Sequence, residues 1–426
     1  MSVCLYGGKW SSAGTLPIGW QGGQSVEVSR TPSVIRAQAQ QVLSAVPPAP
    51  PTLPANGGPS FSRALWRMAA ANVSPGNAVT LYSDGNQTFD AMIALIDGAR
   101  TSVSLESYIY KSDGVGHRFG DALAAAASRG VRTRLLTDWV GALGTPRSFW
   151  RNLRQRGVEV RVFNRPGFRR WLGMVPRDHR KLLVVDNAAG FTGGIGIGDE
   201  WQRGLLRKRR QAWRDTCVRI VGQAAHDMDS AFDVMWSRAV GERPPRSERK
   251  LTPMTRGTGL NPADSVPCLV GIVQGEPWRL RVGRSLHLQA AAAQRSIWLA
   301  SAYFVPSFAE VDALSGAARD GVDVRLLVPS KYDHPWIHQL TRTFYHRLLR
   351  NGVRIWEWGG EMMHAKTTVV DGRWIRVGST DFNPLGVAIN FELDAMIEDA
   401  TVGAAAERMF EHDLARSREI HHIRKP

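Results

Sequence analysis

The chain repeats itself over nearly 200 residues, and a repeat of that length admits few architectures other than two copies of one fold. SVSLESYIY from Ser102 is matched by SIWLASAYF from Ser296, and RGVRTRLLTD from Arg129 by DGVDVRLLVP from Asp320. RGVEVRVF from Arg156 is matched by NGVRIWEW from Asn351, and HRKLLVVD from His179 by HAKTTVVD from His364. The four pairs keep their order at offsets of 185 to 195 residues, the signature of an internal duplication. At 426 residues each copy is long enough to bury its own core. The alternating apolar segments read as strands, and each Gly-Val step reads as a helix end followed by a new strand. Each half therefore runs strand, helix, strand, helix, strand and then the motif strand, an α/β pattern.

Outside the repeat, AVPPAPPTLPANGGP from Ala45 to Pro59 reads as a Pro-rich extended linker, and no sustained period precedes it. Gly241 to Pro267 mixes Arg, Pro, Ser and Gly and reads as a joint. The expected division is a low-order tail and linker over 1–76, a first domain over 77–245, a linker over 246–269 and a second domain over 270–426.

In each motif the His and Lys stand two apart on a strand, so His179 with Lys181, and His364 with Lys366, point to one face. Asp186 and Asp371 follow at an odd step and are expected to face away and brace the strand end as structural residues. Phosphodiester transfer needs a nucleophile, a proton donor for the leaving alcohol and fixed positive charge around the phosphoryl oxygens. Two His and two Lys supply this set with no metal and no cofactor. Cys4, Cys217 and Cys268 lie too far apart in sequence to suggest a metal site or a redox pair, and fit a reducing cytoplasmic setting.

The net charge of +16 favours phosphate-bearing partners, lipid head groups or nucleic acid. Only eight of the 54 basic residues are Lys, so the Arg excess also fits a GC-rich genome. The start lacks the basic stretch and apolar run of a secretory signal, and no window approaches a membrane span. A bilayer is expected to be met from its surface. FNRPGFRRWLGMVPRDHR, with Arg165, Arg169, Arg170 and Arg177 among Phe163, Phe168, Trp171, Leu172 and Met174, reads either as a lipid-inserting loop or as a solvated basic loop. RGLLRKRRQAW from Arg203 admits the same two readings, and either cluster can track a nucleic-acid backbone.

RDHRKLLVVDNAAGFTGGIGIGDEW from Arg177 and HAKTTVVDGRWIRVGS from His364 resemble the phospholipase D superfamily, and within it the short bacterial cardiolipin synthases that lack membrane-spanning segments. The resemblance runs from about Val79 to the end of the chain. It implies two duplicated phospholipase D-like domains, each a mixed β-sheet flanked by helices, related by a pseudo-twofold axis with one active site at their interface. It further implies a carboxylate orienting each His, here Asp215 for His179 and Glu392 for His364, with Gly194 and Ser379 serving the phosphate. The family commonly has Asn where this chain has Gly196 and Asp381, a change expected to weaken anion binding unless Asn383 or Asn390 compensates.

The activity so implied is phosphatidyl transfer between two phosphatidylglycerol molecules through a phosphohistidine, with His179 as nucleophile. The expected partner is an anionic phospholipid surface at the inner face of the cell membrane, met peripherally by a monomer. A phospholipase D-type hydrolase or a metal-independent nuclease would use the same two-His site, and a non-catalytic membrane-binding protein is a third reading.

Overall fold

The computed structural model describes residues 59–165, 176–202, 211–243 and 268–421. The residues up to 58, both loop clusters at 166–175 and 203–210, and the joint at 244–267 lie outside the described residues.

After the short β1 (Asn72–Ser74), the first repeat supplies β2 (Ala78–Tyr82), β3 (Ser102–Ser107), β4 (Arg132–Asp138), β5 (Glu159–Phe163), β6 (Lys181–Val185), β7 (Ala189–Gly193) and β8 (Cys217–Val221). They form a sheet in the order β2-β8-β7-β6-β3-β4-β5. The second repeat supplies β9 (Leu269–Gly275), β10 (Ser296–Ala300), β11 (Asp323–Pro329), β12 (Arg354–Trp358), β13 (Thr367–Val370), β14 (Trp374–Gly378) and β15 (Glu392–Glu398). These follow the same order, β9-β15-β14-β13-β10-β11-β12, with β1 added at one edge and β16 (Ser417–Ile420) at the other. Among the described strands only β3-β4-β5 and β10-β11-β12 run parallel, so both sheets are mixed. The Gly-Val steps act as read: Gly130, Gly157, Gly321 and Gly352 each take φ between +84° and +93° just past a helix end, where a side chain would be strained.

The sheets meet across a shared apolar core. Leu182, Val184, Val218 and Ile220 of the first half pack with Ile272, Val369, Val377 and Leu393 of the second. Helix Gln223–Arg238 touches β6 of its own half and β9 of the other, while helix Ala400–Leu414 touches β14 and, across the joint, β2. The motif strands β6 and β13 are buried throughout, which their unbroken Leu, Val and Thr runs permit. Asp186 and Asp371 each stand in a left-handed turn after the motif strand. Asp186 accepts the amides of Arg100, Thr101 and Ser102, and Asp371 those of Gln294, Arg295 and Ser296. Each carboxylate thus ties its motif strand to the start of the neighbouring strand, away from the histidines.

The expected low-order tail over 1–76 is corrected from residue 59 onward. Helix Pro59–Ala69 buries Phe61, Leu65, Trp66 and Ala69 in the core of the second half, and β1 pairs with β9. The Trp66 ring lies 5.4 Å from Trp374. Pro and Gly just upstream dominated the composition, while the apolar spacing of Phe61, Leu65, Trp66 and Ala69 is that of one helical face. Trp66→Ala is expected to cost about 3–5 kcal/mol of stability, measured by chemical denaturation. A loss below about 1 kcal/mol, the range of a surface change, contradicts this packing role.

Candidate active site

Two isolated parallel bridges stitch the halves together: Asp178 pairs with Phe391, and Arg214 with Met363. The His179 amide donates to the Phe391 carbonyl at 2.9 Å and the His364 amide to the Arg214 carbonyl at 2.7 Å. Asp178 and Met363 each directly precede the motif His, and Arg214 and Phe391 each directly precede a carboxylate, so the two bridges are equivalent. Each motif is thereby laid beside the carboxylate-bearing segment of the opposite half. Arg214 adds a buried two-armed ion pair to Asp413, Nε to Oδ1 at 2.9 Å and Nη2 to Oδ2 at 2.6 Å.

This crossing corrects the expected pairing of carboxylates. His179 Nδ1 lies 3.0 Å from both oxygens of Glu392, and His364 Nδ1 lies 2.7 Å from Asp215 Oδ2. Order along the chain suggested Asp215 for His179 and Glu392 for His364; the bridges exchange them. With each Nδ1–H donating to its carboxylate, each Nε2 is left for chemistry, and that of His364 lies 3.0 Å from Lys366 Nζ of its own motif.

Gly194 and Ser379, expected to serve the phosphate, each lie against one of the two carboxylates. The Gly194 amide donates to the Thr216 carbonyl at 3.1 Å, and a Cβ there would stand 2.1 Å from Asp215 Oδ1. Glycine clears room for the carboxylate. The buried Ser379 hydroxyl donates to Glu392 and accepts the Leu393 amide. Both residues therefore seat the carboxylates. Gly196 faces the Trp201 indole, which a Cβ would meet at 2.9 Å, and Trp201 Nε1 donates to Asp215 Oδ2 at 3.0 Å. Asp381 Oδ2 pairs with Lys366 Nζ at 3.2 Å, and its Oδ1 accepts the Tyr303 amide. Asn383 donates to the Tyr303 carbonyl, and Asn390 accepts the Arg177 amide.

Lys181 Nζ donates to its own motif's His179 carbonyl at 2.6 Å, and Lys366 Nζ to the His364 carbonyl at 2.8 Å. Two tyrosines escaped the sequence reading. The Tyr108 ring stands 4.9 Å from the His179 ring with Lys181 over its face, and Tyr303 stands 6.0 Å from His364 with Lys366 over its face. They occupy positions one apart in the repeat, Tyr108 six residues after Ser102 and Tyr303 seven after Ser296, so residue-by-residue matching separates them.

The four groups share one electrostatic field. Burial, then Lys181, Lys366 and His364, hold His179 well below the usual imidazole range. Burial and Lys366 also lower His364, with Asp215 and Asp381 opposing. Burial raises Glu392, against the pull of Lys181 and the Ser379 hydroxyl. Lys181 is pushed down to about 8, first by burial, with Lys366 adding to it and Glu392, Asp215 and Asp381 resisting. Lys181 is therefore charged below about pH 8 and loses its charge above it. Calorimetric affinity for sulfate, a phosphate stand-in that does not titrate here, should hold from pH 7 to about 8 and then fall, with the fall abolished in Lys181→Gln. An affinity that holds to about pH 10, where an unperturbed lysine titrates, would contradict this field.

Comparison with known proteins places the chain in a family. The family described as "Cardiolipin synthase, PLD-like domain" matches residues 92–236 and 287–414, one segment in each half. The chain is 31% identical over 349 residues to the cardiolipin synthase of Listeria monocytogenes serotype 4a, covering 81% of this chain and 70% of that protein. It is equally similar, over the same shares, to the major cardiolipin synthase ClsA of Bacillus subtilis. In fold it is similar to the phosphatidylserine synthase of Haemophilus influenzae, with a TM-score of 0.64 at 14% identity, covering 85% of this chain and 92% of that one. These matches, spread over both halves of the duplicated fold, show that the chain belongs to the cardiolipin synthase family of phospholipase D-like proteins.

Proposed function

We propose that the protein makes cardiolipin by transferring a phosphatidyl group from one phosphatidylglycerol to another, with release of glycerol. The observation that carries this reading is the convergence of two His–Lys pairs, each imidazole backed by the opposite half's carboxylate, in a chain of the cardiolipin synthase family. His179, the imidazole held more firmly neutral, attacks phosphorus through Nε2 while Glu392 receives its Nδ1–H. A P–N bond forms, the P–O bond to the glycerol head group breaks, and protonated His364 gives its proton to the departing oxygen. Asp215 and the phosphate's own charge favour the protonated form of His364. In the second half-reaction His364 takes the proton of the acceptor hydroxyl, whose oxygen attacks phosphorus and releases His179. Lys181 and Lys366 neutralise the phosphoryl oxygens.

The substrates lie in a bilayer, and among the described residues no helix is long and apolar enough to cross one. Peripheral contact of a monomer with the inner face of the cell membrane, drawn by the +16 charge, completes the reading.

Purified protein with labelled phosphatidylglycerol vesicles in excess chelator should yield cardiolipin and glycerol, and His179→Ala should lower the rate by about 10³-fold or more. Phosphatidic acid as the sole product would assign hydrolysis instead, and product formation unchanged in His179→Ala would overturn the site.

A further inference from the structure

Strand direction decides which end of each sheet carries the chemistry. β6 runs antiparallel to β3, and β4 runs parallel to β3, so His179 stands at the end where β4 finishes. β13 runs antiparallel to β10, and β14, β15 and β9 continue the alternation. His364 therefore stands at the end where β9, β10 and β11 finish and β15 begins. Every exposed tryptophan, phenylalanine and leucine among the described residues lies in the stretches that leave β4, β9, β10 and β11 or enter β15. Apolar side chains scattered singly over a surface need no explanation, but their collection at one end of the molecule does.

Four of them surround one point. Trp278 is 77% exposed, Phe308 71%, Leu385 52% and Leu280 40%. Leu280 caps helix Arg281–Ala292, and a Cβ on Gly283 in its first turn would meet Val387 at 3.0 Å and Glu310 Oε1 at 3.3 Å. The starts of that helix and of helix Phe308–Arg319 thus converge on the π-helical turn Leu385–Ile389. The Trp278 amide donates to the Ala388 carbonyl at 2.7 Å, and the turn runs directly into Phe391 and Glu392, which hold His179. Trp278 and Leu280 take φ of +65° and +51°, a left-handed region that bulky residues rarely enter. Strain of this kind persists where the placement of a side chain matters. The charge around the patch is basic: Arg279 and Arg284 are exposed and stand close enough to Arg281 to lower it beyond what burial does. Of the nearby carboxylates, Glu276 pairs with Arg238 at 3.9 Å, and Glu310 is buried in its own helix cap.

We propose that this patch docks the protein on an anionic phospholipid bilayer. Trp278, Leu280, Phe308 and Leu385 enter the boundary between head groups and acyl chains, while Arg279 and Arg284 meet lipid phosphates. The histidine end of the sheets is thereby turned to the membrane, and a phosphate reaches the site without its lipid leaving the bilayer. The inference deepens the phosphatidyl-transfer reading by naming the surface through which lipid is met. A second copy related by a twofold axis would set these arginines against their own equivalents. A nucleic-acid backbone would leave Leu280 and Leu385 with nothing to bury them.

The test follows the full chain in two measurements. One is partition, by sedimentation, onto vesicles of equal parts phosphatidylglycerol and phosphatidylcholine. The other is cardiolipin formation from those vesicles and from a short-chain phosphatidylglycerol dispersed below its micelle concentration. Asparagine is at home in left-handed backbone, so Trp278→Asn with Leu280→Asn removes the apolar groups and keeps the loop. This double variant should lower both partition and vesicle turnover by at least ~10-fold and leave turnover of dispersed lipid unchanged. Trp278→Phe should keep the original partition, and Arg279→Ser with Arg284→Ser should lower it by roughly 10-fold. Unchanged partition in the double variant, or an equal loss on dispersed lipid, would overturn the docking surface. So would a dimer or a nucleic-acid complex that the double variant abolishes while vesicle binding persists. No cardiolipin from either form of lipid would overturn the transfer reading, with partition still deciding the surface.

Discussion

Each motif imidazole is held by a carboxylate that belongs to the other half of the molecule, and the rest of the site is arranged around that exchange. A buried carboxylate is costly unless its oxygens are occupied, so Glu392 and Asp215 each gather a set of donors. Glu392 has His179 and Ser379; Asp215 has His364, the Trp201 indole and the Thr216 amide. The backbone bridges at Asp178–Phe391 and Arg214–Met363 fix the distances on which these bonds depend. A shift between the halves would break both pairs at once. The Arg214–Asp413 ion pair guards against that shift, because separating its buried charges leaves each uncompensated.

Symmetry in the backbone coexists with asymmetry in the chemistry. His179 has the Tyr108 ring at its edge, whereas His364 is flanked by Tyr303, Trp201 and Trp213. Lys366 is matched by Asp381 before any phosphate arrives, and this counter-charge helps keep His364 closer to the ordinary imidazole range than His179. Duplicated halves can thus divide the labour of nucleophile and acid without departing from a common frame. Gly196, which departs from the common family pattern, is explained by the same asymmetry: the Trp201 ring occupies the place a side chain would need.

Much of this was legible in the sequence. The repeat foretold two α/β halves in one order, and the Gly-Val steps marked four helix ends because a left-handed residue after a helix is a local requirement. His179, Lys181, His364 and Lys366 stood out by spacing, and Asp215 and Glu392 by position after each motif. The partner of each carboxylate was not legible, since order along one chain carries no record of which half crosses over. The contacts of Ser379 with Glu392 and of Gly194 with Asp215 were not legible for a related reason: these neighbours in space lie 13 and 21 residues apart in sequence. Tyr108 and Tyr303 were hidden by a one-residue slip between the repeats. Helix Pro59–Ala69 was masked by the Pro-rich stretch before it, although it completes the core of the half that comes later in the chain.

On this reading a carboxylate of the second half equips a histidine of the first to bond to phosphorus. Its most direct measurement is peptide mass analysis after a rapid alkaline quench of protein turning over phosphatidylglycerol, with a parallel sample of Glu392→Gln. A phosphoryl-linked adduct is expected on the peptide bearing His179, formed about 10²-fold or more slowly in the variant, as when a triad carboxylate is neutralised. An adduct on the peptide bearing His364, or one on His179 that forms at the same rate without the Glu392 charge, would contradict it.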